Sequence, residues 1–281
     1  MIALTSSDAS YPRGLRDLPR PPAALWVDGD VSSLHQTAVA IVGTRRMTGY
    51  GERVARELAL GCASAGVVVV SGLAQGIDSA AHRGALDGGG KTVAVLGESI
   101  PLFLATVRGR RRPLAPRIRA SGALVSEFAA PFSARAWTFA QRDATIAALA
   151  CAVVVVEAGE SSGALITAEQ ARRLGRKLYA VPGPLGSLAS VGTNALIAQG
   201  LASALVSPDQ LVRAAGVASV VARDGEQQSD PLLLALGDGP LGIDELSRRM
   251  RVTPSSLSER IAGMLLSGAI ATLPDGRLAR G

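Results

Sequence analysis

The feature that most constrains this fold is a series of apolar runs, each short enough for a strand and too unbroken for a half-exposed one. They are Val39–Val42, Val67–Val70, Thr92–Leu96, Ala123–Ser126, Ala152–Glu157 and Leu178–Val181. Strands that are apolar on both faces belong inside a parallel sheet covered by helices. Helical patterns fill the intervals, at Tyr50–Ala65, Asp78–Leu86, Phe139–Ala150, Gly163–Leu174 and Thr193–Gln199. The alternation predicts an α/β fold: an extended Rossmann-like, doubly wound, mainly parallel sheet. Right-handed crossovers place helices on both faces and gather the loops after the strands into one crevice. Only Glu98–Pro116, broken by proline and arginine, resists assignment.

Beyond Asp209–Ala215 the pattern changes. GVASVVARDGEQQS at Gly216–Ser229 is small and polar without a sustained period, and reads as a linker. DPLLLALGDGPLGIDELSRRM predicts two short helices, and TPSSLSERIAGMLLSG predicts a third. IATLPDGRLARG predicts a hairpin around Pro274-Asp275-Gly276. Three helices and a β-wing describe a winged helix, which contacts nucleic acid or protein. The expected organisation is an N-terminal segment packed on the sheet domain (1–37), the Rossmann-like domain (38–215), a linker (216–229) and a winged-helix domain (230–281).

Charge bears on partners. The formal net charge is +6, and Lys91 and Lys177 are the only lysines, so arginine supplies nearly all of it. The bias is what a GC-rich genome produces; chemically, a guanidinium fork also suits bidentate phosphate contacts. Arg108–Arg119 carries six arginines and reads as a solvated loop or a nucleic-acid patch. Aromatic residues make up 3% of the chain, which disfavours a continuous base-stacking groove. No apolar run is long enough to span a membrane, and the start lacks the pattern of a signal peptide, so a cytoplasmic protein without membrane association is expected. Cys62 and Cys151 lie in apolar surroundings without C-x-x-C spacing and are expected to be buried free thiols.

Three glycine-bounded loops follow predicted strands: Gly43-Thr44-Arg45, Ser71 to Asp78, and Glu157 to Gly163. Small residues let the backbone approach a ligand, and helix N-termini present N–H groups to an anion. Arg45 adds a positive fork; the plainer reading is that Gly43 and Gly76 merely permit tight turns. No Lys-[ST] follows to make a P-loop, and Gly49 and Gly51 lie too far along for a dinucleotide fingerprint. Neither His35 nor His82 sits in a metal pattern; His82 reads as a packing residue and Asp78 as the N-cap of its helix. No cofactor, metal or catalytic group is expected.

In order along the chain, AIVGTR at Ala40–Arg45, SGLAQGIDSAAHRGAL at Ser71–Leu86, LVSEF at Leu124–Phe128 and FAQRDATIAAL at Phe139–Leu149 continue into VVVVEAGESSGALITAEQA and VPGPLGSLASVGTNALIAQG. With Tyr11-Pro12 and LRDLPRPPAALWVDGD, this set resembles the DNA-processing protein A family (DprA, also called Smf) from about Tyr11 to Val212. The resemblance implies a non-enzymatic, homodimeric protein that binds single-stranded DNA, protects it and helps load the RecA recombinase in natural transformation. It implies phosphate contacts from Gly43, Thr44, Arg45, Ser71, Gly72, Gly76 and Arg142, and base stacking on Phe139. Arg110, Arg111, Arg112, Ser162, Gly163 and Lys177 are further candidate DNA contacts. Many members also carry a C-terminal winged helix.

Two departures qualify the resemblance. Family members usually have Arg-Asn-Arg where this chain has Arg142-Asp143-Ala144, which removes one positive charge and adds a negative one. ESIPLFLATVRGRRRPLAPRIR replaces the usual Tyr-Pro segment, and its arginines are the expected replacement contacts. The N-terminal helical domain of many members is not expected, because ten residues precede Tyr11. Two other readings stand beside this one: a nucleotide or nucleoside-phosphate hydrolase using Glu127 or Glu157 as acid/base in the same crevice, and a regulatory protein-binding module.

Overall fold

A computed structural model describes residues 1–217, 232, 235–236, 239–250, 252–266, 270–273 and 275–280. The chain forms two compact units, Met1–Val220 and Val221–Gly281.

The first unit is built on a nine-stranded sheet. In chain order its strands are β1 (Ile2–Thr5), β2 (Ala24–Gly29), β3 (Ala38–Val42), β4 (Val68–Ser71), β5 (Thr92–Leu96), β6 (Ala123–Ser126), β7 (Ala152–Val155), β8 (Lys177–Ala180) and β9 (Ser203–Ala204). Their spatial order is β1-β2-β6-β5-β4-β3-β7-β8-β9. All pairs from β6 to β9 are parallel. From β3 the chain therefore winds one way through β4, β5 and β6, then returns to the other side of β3 and continues through β7, β8 and β9. β3 and β7 flank the point where the winding reverses, the place at which open α/β sheets bind ligands.

Successive residues of a strand point to opposite faces, and the core divides accordingly. Ala40, Val42, Val153 and Val155 pack beneath α5 (Ala136–Leu149) and α6 (Ala164–Arg173). Val39, Ile41, Val69 and Val154 pack beneath α1 (Gly49–Ser64) and α2 (Ile77–Asp87), with Leu58, Cys62 and Ile77. Full burial of each such Val or Ile is worth about 1.5–3 kcal/mol over exposure. This two-faced burial is why the strands read as unbroken apolar runs.

The structure adds elements that the sequence reading lacked. β1 and β2 form an antiparallel pair, and β2 joins β6 antiparallel, Trp26 opposite Ser126. In the unassigned stretch lie α3 (Ile100–Thr106), a 3-10 turn at Gly109–Arg111, and α4 (Leu114–Ser121). Its prolines sit in first turns or at a cap, where a missing N–H costs nothing. Two expectations are corrected. Gly76, not Asp78, caps α2; its φ of 82° suits glycine, and Asp78 lies buried in the first turn. Cys62 is buried but Cys151 is exposed, and both are free. Burial drives the Cys62 thiol up to about 12.

In the second unit, α7 (Ile243–Met250) and α8 (Pro254–Leu266) pack with the hairpin β10 (Ile270–Thr272) and β11 (Leu278–Arg280). Leu232, Leu246, Leu257, Ile261, Ile270 and Leu278 form its core. The chain from 218 to 231 lies outside the described residues, with most of the expected linker and the start of the first expected helix.

Candidate functional site

The loops after β3, β4, β5 and β7 meet at the C-terminal edge of the sheet, as their parallel pairing requires. The Thr44 N–H donates to the Glu157 carbonyl at 2.7 Å, and the Ile77 N–H to the Thr44 carbonyl at 3.2 Å, so the loops after β3, β4 and β7 are laced together. A Cβ on Gly76 would stand 2.2 Å from the Thr44 oxygen, and one on Gly43 2.6 Å from Ile77. These glycines therefore serve close loop packing as well as turns. Leu73 in the same region takes φ 51°, a left-handed conformation that non-glycine residues adopt at a cost.

Two clefts of about 340 and 360 Å³ open here, sharing Arg45, Ala74, Phe139 and Arg142 as walls. Phe139 projects from the first turns of α5, half-buried, with the Arg45 guanidinium 5.2 Å from its ring centre and that of Arg142 at 5.8 Å. Both distances are within cation–π range. Gly43, Thr44, Ser162 and Gly163 line the larger cleft; Gly72 and Arg111 line the smaller. A further cleft of about 280 Å³ is walled by Arg45, Arg46, Gly76, Arg83, Arg110 and Arg111. Arg83 is paired with Glu52 at 3.1 Å.

Arg142 is the central surprise. It is 8% exposed, gives Nε and Nη2 to a single oxygen of Asp143 at 3.1 and 2.8 Å, and gives Nη1 to the Gly72 carbonyl at 2.8 Å. A Cβ on Gly72 would lie 2.1 Å from Nη1, so only glycine admits this arrangement. Burial pushes the carboxyls of both Asp78 and Asp143 up, while Arg142 pulls each down. Around Arg142 the charges are thus matched before any ligand arrives, whereas Arg45 is exposed.

The structure brings most sequence-predicted residues together: Gly43, Thr44, Arg45, Gly72, Gly76, Phe139, Arg142, Arg110, Arg111, Ser162 and Gly163 all line these clefts. Three others lie apart from the clefts. Ser71 is fully buried and its hydroxyl donates to the Ile41 carbonyl at 2.7 Å, so it braces β4 against β3. Lys177 begins β8 at the opposite edge of the sheet, where its ammonium donates to the Ala214 carbonyl at 3.0 Å. Arg112 follows the 3-10 turn and lines none of the three clefts.

The two candidate acid/base carboxylates also lie outside the clefts' walls. Glu157 is buried and accepts from the Thr48 N–H at 2.9 Å and from its hydroxyl, pinning the end of the arginine loop, at the cap of α1, to the chain after β7. Glu127 accepts from Gln141 and Thr145 on α5, and burial pushes its carboxyl up. His82 donates Nδ1–H to the Thr92 hydroxyl, 2.7 Å away, whose own proton goes to Val69. No group of three or more His, Cys, Asp or Glu side chains that could hold a metal occurs among the described residues. Nor is any described helix long and apolar enough to cross a membrane.

Arg46 and Arg83 were missed by the sequence reading. Arg46 stood next to Arg45, and Arg83 lies two turns along the helix that Gly76 caps, on the same side as the loop.

The chain as a whole is similar to known proteins. The sequence model described as DNA recombination-mediator protein A matches residues 2–216, and the DprA winged helix domain matches residues 218–276. The chain is 35% identical to Protein Smf of Escherichia coli, over 95% of this chain and 74% of that one. The DprA structure from Streptococcus pneumoniae matches with a TM-score of 0.70 at 32% identity, covering 75% of this chain and 73% of that one. The DprA structure from Helicobacter pylori, solved for its single-stranded DNA binding mode, matches with a TM-score of 0.67 at 28% identity, covering 75% and 94%.

Proposed function

Because this chain belongs to the DNA recombination-mediator protein A (DprA/Smf) family, we propose that its switch-point crevice binds single-stranded DNA through phosphate contacts and one stacked base. The observation that carries this reading is Phe139 at the C-terminal edge of the sheet with two guanidinium groups within 6 Å of its ring centre. A ring of that kind accepts any base by its face, and a neighbouring arginine neutralises the adjoining phosphate. Gly43, Thr44 and Gly163 bring backbone close to the same space. Arg45 is the principal phosphate ligand. Arg110 and Arg111 extend the positive wall and offset the charge matching of Arg142 by Asp143.

Binding of this kind is largely blind to sequence, because phosphate contacts position a strand without reading it. On the same reading the protein protects incoming strands and helps load RecA onto them in natural transformation, as a cytoplasmic, non-enzymatic homodimer. These finer parts rest on family membership. Co-sedimentation with RecA on a single strand and the mass of the protein in solution test them.

The reading is tested by fluorescence anisotropy with labelled oligothymidylate and a duplex of equal length at two salt concentrations. Tight single-strand binding that weakens steeply with salt is expected. No binding at low salt would overturn the proposal.

A further inference from the structure

Nine aromatic side chains occur in the chain, four Phe, two Trp and three Tyr, and three of them form one cluster just past the end of β6. Phe128 and Phe132 stack with ring centres 4.5 Å apart and planes 13° from parallel. Trp137 meets both edge-on, at 5.8 and 6.0 Å. The support beneath is firm. The Ser126 hydroxyl donates to the Glu98 carbonyl at 2.7 Å and accepts from the Phe128 N–H, and the Ser99 N–H donates to the Phe132 carbonyl at 3.0 Å. Glu98 itself lines the smaller cleft, so the cluster is hydrogen-bonded to the crevice wall.

Phe128 is 9% exposed, yet Trp137 remains 52% exposed. An indole fixed by two rings with its remaining surface in water is a preformed apolar plane, not a core residue. Arg135 lies beside it, its guanidinium carbon 6.0 Å from the Phe132 ring centre. Trp137 and Phe139 are two residues apart at the start of α5, so they project about 200° apart around its axis. A strand crossing the N-terminal end of this helix meets one ring on each side.

From this we propose that Trp137, backed by Phe128 and Phe132, is a second base-stacking surface that takes another unpaired nucleobase of the strand held at Phe139, with Arg135 facing the intervening backbone. The inference rests on the reading that the crevice binds single-stranded DNA. Its occupant is an unpaired base, because the cluster is hydrogen-bonded to the wall of that crevice and pairs an aromatic plane with a cation, the combination that single strands select. Duplex bases, stacked on their own neighbours, have no face to offer it.

Trp26 and Trp137 are the only tryptophans, so Trp26→Phe leaves Trp137 as the sole reporter. Oligothymidylate is expected to quench its emission in step with anisotropy, while an abasic strand of equal length binds without quenching. Trp137→Ala is expected to weaken oligothymidylate binding about five- to hundredfold and to leave abasic-strand binding unchanged. Trp137→Phe keeps most of the affinity. If Trp26→Phe does not fold, the difference in emission between the natural protein and Trp137→Phe isolates the same signal. Binding that Arg45→Ala weakens, with Trp137 emission unmoved and Trp137→Ala affinity intact, would overturn this inference alone. No anisotropy change with any single strand would overturn the underlying reading with it. Emission that follows protein concentration instead of oligonucleotide would make this face a contact between copies, and would also overturn the assignment.

Discussion

Arg142 gives two of its N–H donors to one carboxylate oxygen of the very next residue, Asp143, at 3.1 and 2.8 Å. Neighbouring residues of a helix ordinarily point about 100° apart and do not pair. Here both are buried, and burial leaves each the other's best partner. An arginine so engaged has little left for a phosphate. The crevice therefore carries less net positive charge than its arginines suggest.

Replacing that carboxylate releases the guanidinium. Asp143→Asn is expected to raise single-strand affinity about three- to tenfold at low salt, the gain shrinking as salt screens it. It is also expected to cost folding stability, because a buried cation loses its counter-charge. Anisotropy titrations and urea denaturation of the same preparation check both signs. An unchanged or weakened affinity in a folded variant would show that Arg142 does not serve the strand.

Gly76 combines φ 82° and ψ −133° with a Thr44 carbonyl oxygen 2.2 Å from where a Cβ would sit. Gly76→Ala is expected to cost more than about 2 kcal/mol, from strain in a glycine-only region plus displacement of the arginine loop. Arg45 moves with that loop, so DNA affinity falls as well. Denaturant midpoints at constant slope measure the first effect.

His82 supplies a pH signature. Burial lowers its imidazole from the ordinary 6.5 to about 3, with Arg83 and Arg142 acting in the same direction. The folded state thus resists the proton that the unfolded chain accepts. Its contribution is whole above about pH 6.5 and is lost as pH falls toward 3, by at most about 1.4 kcal/mol per pH unit. His82→Asn, whose amide can still donate to Thr92, is expected to flatten the loss relative to the natural protein. Parallel stability curves for the two between pH 6.5 and 4 would contradict this.

The central sheet was legible because parallel strands buried on both faces leave unbroken apolar runs; Thr92–Leu96 and Ala123–Ser126 begin and end where they were read. β1 and β2 were not, since Ile2–Thr5 is a four-residue edge whose partner lies twenty residues on, and the apolar run Ala23–Val27 directly follows the proline-broken stretch Pro19–Pro22. In the site, Gly43, Arg45 and Phe139 were visible as sequence motifs. The Arg142–Asp143 pair was not, because helical spacing argues against it. Ser71 was misjudged because its acceptor, the Ile41 carbonyl, belongs to a strand thirty residues earlier.

With the strand's phosphates on Arg45, Arg110 and Arg111, the measurement that tests this reading most directly is the salt dependence of single-strand affinity. Log affinity against log salt for oligothymidylate is compared among the natural protein, Arg45→Ala and a charge swap of Arg110 and Arg111. Arg45→Ala is expected to bind all sequences more weakly by a common factor and to reduce the slope by about 0.7, the share of one phosphate contact on a single strand. The charge swap is expected to reduce it further. Slopes and affinities equal to those of the natural protein in both variants would contradict phosphate recognition in this crevice.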